Sequence, residues 1–311
     1  MNEIKALILC NNPLAVPGLR EFLFYGKIAA VAIPKRNKEM QHILIPLLEE
    51  NNVPLVLVSK KDFEAELFEA IEQYQPNVGI MMTFPYLLST RLLQLIPKGF
   101  INFHYGLLPW CRGPQPILQH MLNNDTHAGV TVHVVEESVD TGGIICQEKI
   151  PIEETDTYGI LQGKLAYLGA KQAANLLKIL SYGSIIPTIK QDESKAVYFN
   201  MPTAMELTIN WNEMSAAQII RLVNACNPWN KGAGTSIKGW VLGITAAELA
   251  GDCPEDDQPP GTILSCNNKD GLLVKTIDNK KLKITILYTN EGYFTGEKMA
   301  SFGLETGENF S

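Results

Sequence analysis

The sequence contains no C-x-x-C pair, no H-x-x-x-H or H-E-x-x-H pattern, no G-x-G-x-x-G and no G-x-x-x-x-G-K-[ST]. Zinc sites usually announce themselves by the first three spacings, so no metal site is expected. Without the glycine fingerprints the backbone has no cradle for a dinucleotide pyrophosphate or a triphosphate, which sets both ligand classes aside. No run approaches the eighteen or so apolar residues of a membrane span. The opening "MNEIKALILCNNP" has Glu3 beside a lone Lys5 and too short an apolar stretch for a secretory signal, so none is expected. Positive charge is also short: 26 Lys and Arg stand against 33 Asp and Glu, a net charge of −7, which argues against an unassisted grip on phosphates. The six cysteines, Cys10, Cys111, Cys146, Cys226, Cys253 and Cys266, are scattered as in a reducing compartment, and a cytoplasmic protein is expected.

What is present is enough chain for two domains, 311 residues with 46% hydrophobic content. Up to about residue 182, short apolar runs alternate with amphipathic stretches. The strand candidates are residues 4–10, 28–34, 53–58, 78–84 and 100–103, followed by 128–135 and 142–152. Helical spacing separates the first five: in "FEAELFEAIEQY", Phe63, Leu67 and Ile71 recur every four residues while Glu and Gln take the other faces. A long helix is predicted over 157–182. This pattern predicts an α/β domain over 1–182 with an open, mixed, mostly parallel sheet. In such sheets ligands sit beyond the carboxyl ends of the strands.

Residues 183–205 mix Pro, Gly, Ser and charge without periodicity and are predicted to be a surface linker. From 206 to 311 a helix ending at Pro228 precedes short strands, "SIKGWVLGI", "GTILS", "GLLVKTI" and "KLKITILYT", with "DNKK" as a hairpin turn; a small β-barrel of OB type is expected.

One segment is chemically loaded. In "INFHYGLLPWCRG", residues 101–113, strand alternation puts Asn102 and His104 on one face with Phe103 turned inward, at the strand's carboxyl end. An amide offers N–H groups to an oxygen gaining charge, and an imidazole exchanges a proton near neutral pH. Alone, the pair reads equally as buried polar groups with structural partners. Asp140, in "SVDTGGII", reads by itself as a turn-forming carboxylate.

Together these stretches resemble a known family. "NFHYGLLPWCRGPQPI" is similar to the N-x-H-x-S-L-L-P-x-x-R-G segment of folate-dependent formyltransferases, and "VDTGGIICQEKIPIEETDT" to their second signature. "INWNEMSAAQIIRLVNACNPW", "PPGTILSCNNKDGLLVKT" and "LYTNEGYFTGEKMASF" resemble the C-terminal domain of the methionyl-tRNA formyltransferase family, so the likeness spans nearly the whole chain. The resemblance implies an enzyme that moves a formyl group from 10-formyltetrahydrofolate to a primary amine, best matched by initiator methionyl-tRNA, with no metal and no membrane partner. It implies Asn102, His104 and Asp140 as the catalytic set: Asn102 bonding the oxyanion, His104 sharing that task beside the Asp140 carboxylate, and Asp140 passing the amine's proton through water. It implies a folate wall from Gly106, Leu107, Leu108 and Pro109, with Met81, Met82 and Phe84 of "MMTFPYLL" lining the pterin. Arg112 reads either as a loop-positioning residue or as a solvated surface side chain.

The sequence departs from the family in three places. Tyr105 and Gly106 stand where a small residue and Ser are usual, so a differently shaped amine-side wall is expected. The basic insertion that bacterial members carry is reduced to Lys35, Arg36 and Lys38. Residues 206–311 hold nine Lys or Arg against thirteen Asp or Glu, unfavourable for a domain lying along tRNA unless Lys231, Lys238, Lys275, Lys280, Lys281 and Lys283 form one face. An amino sugar nucleotide or carrier-bound amino acid as acceptor, hydrolysis of the donor, and folate binding without turnover are the alternative readings.

Overall fold

β1 (Ala6–Cys10) is the hub of the first half of the chain, flanked by β2 (Ile28–Pro34) and β4 (Val78–Met82). All five of its residues are buried, which is why "ALILC" is apolar throughout rather than alternating. The structure is a computed structural model and describes residues 4–25, 27–182, 186–253 and 257–311. With β3 (Leu55–Val58), β5 (Phe100–His104), β6 (His127–Val134) and β7 (Ile144–Pro151), the strands form one sheet in the order β3-β2-β1-β4-β5-β6-β7. β3 to β5 run parallel and β6 and β7 antiparallel, the open mixed sheet expected.

The crossovers carry α1 (Val16–Phe24), α2 (Lys38–Glu50), α3 (Phe63–Tyr74) and the short α4 (Thr90–Leu93); α5 (Pro116–Leu122) follows β5 and α6 (Tyr158–Tyr182) follows β7. Asn37 caps α2 by accepting from the Met40 N–H. In α3 the predicted stripe holds at Leu67 and Ile71, which enter a core with Leu7, Leu9, Met81 and Phe100. No helix of the described residues is long and apolar enough to cross a membrane.

The chain divides into two compact units, but not at residues 182 and 205. The first comprises Met1–Ile117, His127–Pro151 and Gln162–Asn200; the second comprises Leu118–Thr126, Ile152–Leu161 and Met201–Ser311.

The predicted linker needs a correction. Residues 183–185 lie outside the described residues, but those that follow belong to the first unit. Ile189 and Ile144 exchange two backbone hydrogen bonds of 2.8 Å, and the Arg112 backbone pairs with Val197 and Phe199 at 3.0 and 2.9 Å. Extended backbone with free N–H and C=O groups was available to pair with the edge of the site loops, and lack of periodicity does not reveal that.

In the second unit, α7 (Ala216–Ala225) opens with a capping box between Ser215 and Gln218. Six antiparallel strands follow: β8 (Ala233–Ile237), β9 (Trp240–Asp252), β10 (Ile263–Asn267), β11 (Gly271–Lys275), β12 (Lys280–Thr289) and β13 (Gly292–Thr295), ordered β10-β11-β12-β9-β8 with β13 also on β12. Register shifts between β9 and β12 bend these long strands around one core that includes Trp211, Ile244, Leu282, Met299 and Phe310. The run "SIKGWVLGI", read as one strand, is a hairpin: Lys238 and Gly239 take φ of 51° and 78°, the two left-handed positions of a tight turn.

Candidate active site

β5 delivers the site. Its register sets Asn102 beside Met81 of β4 and opposite His133 of β6, with His104 opposite Thr131. Side chains at these positions share one face of the sheet, so Asn102, His104, Thr131 and His133 converge there. Asn102 is half-buried, whereas His104 and His133 are buried.

The loop between β6 and β7 brings in Asp140. His104 Nδ1 is 3.5 Å from Asp140 Oδ2, and His133 Nε2 is 3.6 Å from Asp140 Oδ1. The Gly113 N–H donates to Asp140 Oδ2 at 3.0 Å. The three residues singled out in the sequence are therefore one constellation, and His133 is its fourth member. In sequence His133 sits in an ordinary strand pattern; its alternation with Thr131 in "GVTVHV" becomes a signal only once β6 is paired with β5.

The hydrogen bonds fix the imidazoles. The Val134 carbonyl is 2.9 Å from His133 Nδ1 and can only accept, so Nδ1 carries a proton, and Nε2 lies 3.1 Å from Asn102 Nδ2 and faces Asp140. His104 Nε2 likewise donates to the Cys111 carbonyl at 2.8 Å, which turns Nδ1 toward Asp140. Burial pushes the Asp140 carboxyl up, but the His104 charge, the His133 ring and the Gly113 N–H outweigh it and bring the group from 3.8 down to about 2.

The Leu-Leu-Pro loop is anchored rather than merely stiff. Thr131 Oγ1 donates to the Gly106 carbonyl at 2.6 Å and accepts from the Leu108 N–H at 3.2 Å, while Gln147 Nε2 donates to the Leu108 carbonyl at 2.8 Å. Leu108 is buried by this clasp; Leu107 and Pro109 stay half-buried. Gly106 has no room for a side chain: a Cβ there would lie 2.8 Å from His104 Nε2 and 2.6 Å from Pro116 Cβ.

Two expectations change, at Tyr105 and Met82, and for Arg112 the loop-positioning reading is the one that holds. Tyr105 does not form an amine-side wall. Following His104 on the strand path, it points the other way, is 4% exposed, packs on Gly169 of α6 and donates to the Leu14 carbonyl at 3.2 Å. Met82 faces away from Asn102 for the same reason, with its thioether placed against Gly18 of α1, whereas Met81 shares the Asn102 face within the core. Arg112 is no surface residue: it is 1% exposed, and its guanidinium bonds both carboxylate oxygens of Glu193, the Tyr198 hydroxyl and the Gln191 side-chain oxygen.

A bound pterin needs apolar walls with polar atoms at its rim. Half-buried Phe84, Leu107 and Pro109 supply the first. In the Phe84 loop the Tyr86 hydroxyl is buried with no hydrogen-bond partner among the described residues, 5.3 Å separating the two ring centres. Buried hydroxyls rarely go unsatisfied, so this loop fits a ligand with a polar edge.

Residues 29–176 match the family described as formyl transferase, and residues 203–293 match its C-terminal domain. Methionyl-tRNA formyltransferase of Geobacillus thermodenitrificans (strain NG80-2) is 33% identical over 295 residues, covering 90% of this chain and 88% of the relative. The chain belongs to the formyltransferase family. The corresponding enzyme of Halothermothrix orenii is 30% identical, covering 94% of this chain and 95% of its own. Among solved structures, WlaRD, a sugar 3N-formyl transferase crystallised with dTDP and 5-N-formyl-THF, aligns with a TM-score of 0.65 at 20% identity, covering 91% of this chain and 97% of that one. HypX from Aquifex aeolicus in complex with tetrahydrofolic acid aligns at 0.64 and 16%, covering 96% and 47%. At these identities the structures establish shared fold, not shared substrate.

In the second unit of this formyltransferase, five of the six lysines considered as one cationic face are buried, paired or set against an aromatic ring. Lys275 is 3% exposed. Lys238 pairs with Glu308, Lys280 with Asp252 and Lys283 with Glu248, while Lys231 lies 4.8 Å above the Tyr288 ring and donates to its hydroxyl.

Proposed function

We propose that this formyltransferase carries a formyl group from 10-formyltetrahydrofolate to a primary amine, and that the amine is that of methionyl-tRNA. The observation that carries the chemistry is the convergence of Asn102, His104 and Asp140 at the end of β5. Full-length likeness to methionyl-tRNA formyltransferases supports the acceptor.

The donor supplies a formyl carbon bonded to N10. The neutral amine forms a C–N bond to that carbon, the carbonyl oxygen gains negative charge, and the C–N10 bond breaks as the amine's proton passes to N10. Asn102 Nδ2 is held 3.1 Å from His133 Nε2 and carries an N–H for the oxyanion, a bond worth about 3–4 kcal/mol in comparable sites. His104 is the larger revision. Its Nε2 is held by the Cys111 carbonyl, so it acts on Asp140 rather than on the oxyanion. With its carboxyl near 2, Asp140 is a poor resting place for a proton at neutral pH. It orients the incoming amine and balances positive charge on His104, and the imidazole is the group that holds the proton in transit. Phe84, Leu107 and Pro109 would border the folate, with Tyr86 offering a hydroxyl.

A second reading, a small amine such as an amino sugar nucleotide or a carrier-bound amino acid, is favoured by the neutralised lysines of the second unit. Mass spectrometry after incubation with 10-formyltetrahydrofolate separates them. Formyl-methionyl-tRNA from charged initiator tRNA is expected; formylation of only the small amines would overturn the acceptor. Formate release without any amine would indicate hydrolysis, and folate binding with no turnover a non-catalytic protein.

A further inference from the structure

The Asp140 loop has an unusual support. Asp140 takes φ of 57°, a left-handed conformation that costs a non-glycine residue roughly 1 kcal/mol, so something must hold it. The holder is Gln191, fifty-one residues away, in the stretch that composition marks as linker. Its Nε2 donates to the carbonyls of both Asp140 and Gly142 at 2.8 Å, and its Oε1 accepts from Arg112 Nη2 at 2.7 Å. The amide orientation follows from these partners: the guanidinium can only donate and the carbonyls can only accept, so the flipped amide would lose all three bonds.

Arg112 ties this grip to the other site loop. Gly113, its neighbour, gives the N–H that reaches the Asp140 carboxylate. Tyr198, bonded to the guanidinium, donates to the Val139 carbonyl at 3.3 Å. Residues 189–199 thus lie across both the Leu107–Gly113 loop and the Val139–Gly143 loop. Lys190, Asp192 and Glu193 on either side of Gln191 are exposed, while Gln191 is 5% exposed. Segments that only cover a core turn apolar side chains inward; this one buries an amide whose bonds all go to the site.

We propose that Gln191 is a positioning residue for Asp140, and that the Ile189–Phe199 strap is part of the frame of the active site. Through Gln191 the strap keeps the carboxylate between His104, His133 and the Gly113 N–H.

The test uses the full chain with Gln191→Met, which keeps the volume and removes the bonds, and Gln191→Glu, which still accepts from Arg112 but cannot donate to the carbonyls. Both are expected to lower kcat on the order of 10- to 100-fold, as small displacements of catalytic groups do, with donor KM changed less than threefold. The turnover arm rests on the formyl-transfer reading. A second readout does not: in protein carrying labelled aspartate, the NMR titration of the Asp140 carboxyl moves from about 2 in wild type toward its ordinary 3.8. Variants that lower thermal stability yet keep wild-type kcat and an unmoved Asp140 titration would show a merely structural strap. If the Gln191 variants do not fold, Tyr198→Phe, which removes one hydroxyl from a half-exposed ring, carries both readouts, and wild-type values there overturn the proposal.

Discussion

Asn102 Nδ2 and His133 Nε2 meet at 3.1 Å across the β5–β6 ladder, and the Val134 carbonyl, 2.9 Å from His133 Nδ1, fixes the ring in that position. The orientation of the amide therefore depends on a residue outside the expected catalytic set. His133→Leu should cut kcat about tenfold or more with little change in KM, because the amide loses its ring partner. His133→Gln, whose side-chain oxygen can still accept, should recover most of that loss. Steady-state kinetics of the two variants decide it; equal damage from both would place His133 in packing alone.

Asn102→Ala removes the proposed oxyanion donor and should lower kcat roughly 100- to 1000-fold, with donor binding retained. Equilibrium folate binding beside single-turnover rates tests this. A variant that turns over normally would remove Asn102 from the chemistry.

Asp140 carries a pH signature. Its carboxyl is depressed in the folded protein, so it stabilises the fold above about pH 4, and that contribution is lost as pH falls toward 2. Asp140→Asn should be less stable than wild type at pH 7 by about 2 kcal/mol, and the gap should narrow steadily toward pH 3. Denaturant titrations at several pH values measure it; a gap independent of pH would contradict the ion pairing.

Gly106→Ala adds a methyl where His104 Nε2 and Pro116 leave no space. Overpacking of this kind costs about 1–3 kcal/mol, and here the softest response is displacement of the His104 ring. Lower melting temperature together with a lower kcat is expected from calorimetry and kinetics, since the crowded atom belongs to the site.

Salt dependence probes the acceptor. With Lys238, Lys280 and Lys283 paired to carboxylates and Lys275 buried, four of the nine cations in residues 206–311 are engaged before any phosphate is met. Raising salt from roughly 50 to 200 mM should change the acceptor KM by less than about tenfold, against the thousandfold or more of a protein making six or more phosphate contacts.

How legible this was in the sequence depends on the distance over which each feature is decided. The five parallel strands and their helices are local patterns of buried runs and amphipathic spacing, and they appeared close to where they were expected. Strand alternation puts Asn102 and His104 on one face, but their part in a site, and that of Asp140, is legible only through the resemblance to formyltransferases. The same alternation turns Tyr105 away from His104 and Met82 away from Asn102, so both face the opposite side of the sheet. His133 requires the β5–β6 register, which no single strand contains. Gln191 and Arg112 are farther still: a polar, aperiodic stretch looks like linker unless its hydrogen-bond partners are known.

The site draws Asn102, His104, His133 and Asp140 from thirty-nine consecutive residues, on neighbouring antiparallel strands and the loop that leads out of them. Such contacts close short loops, and short loops form early. The reactive groups can therefore assemble in a folding unit of their own, before the more distant Gln191 closes over Asp140. Amide protection in β5, β6 and β7 should accordingly precede protection of residues 189–199 during refolding, so that the chemistry is laid down first and its alignment added last.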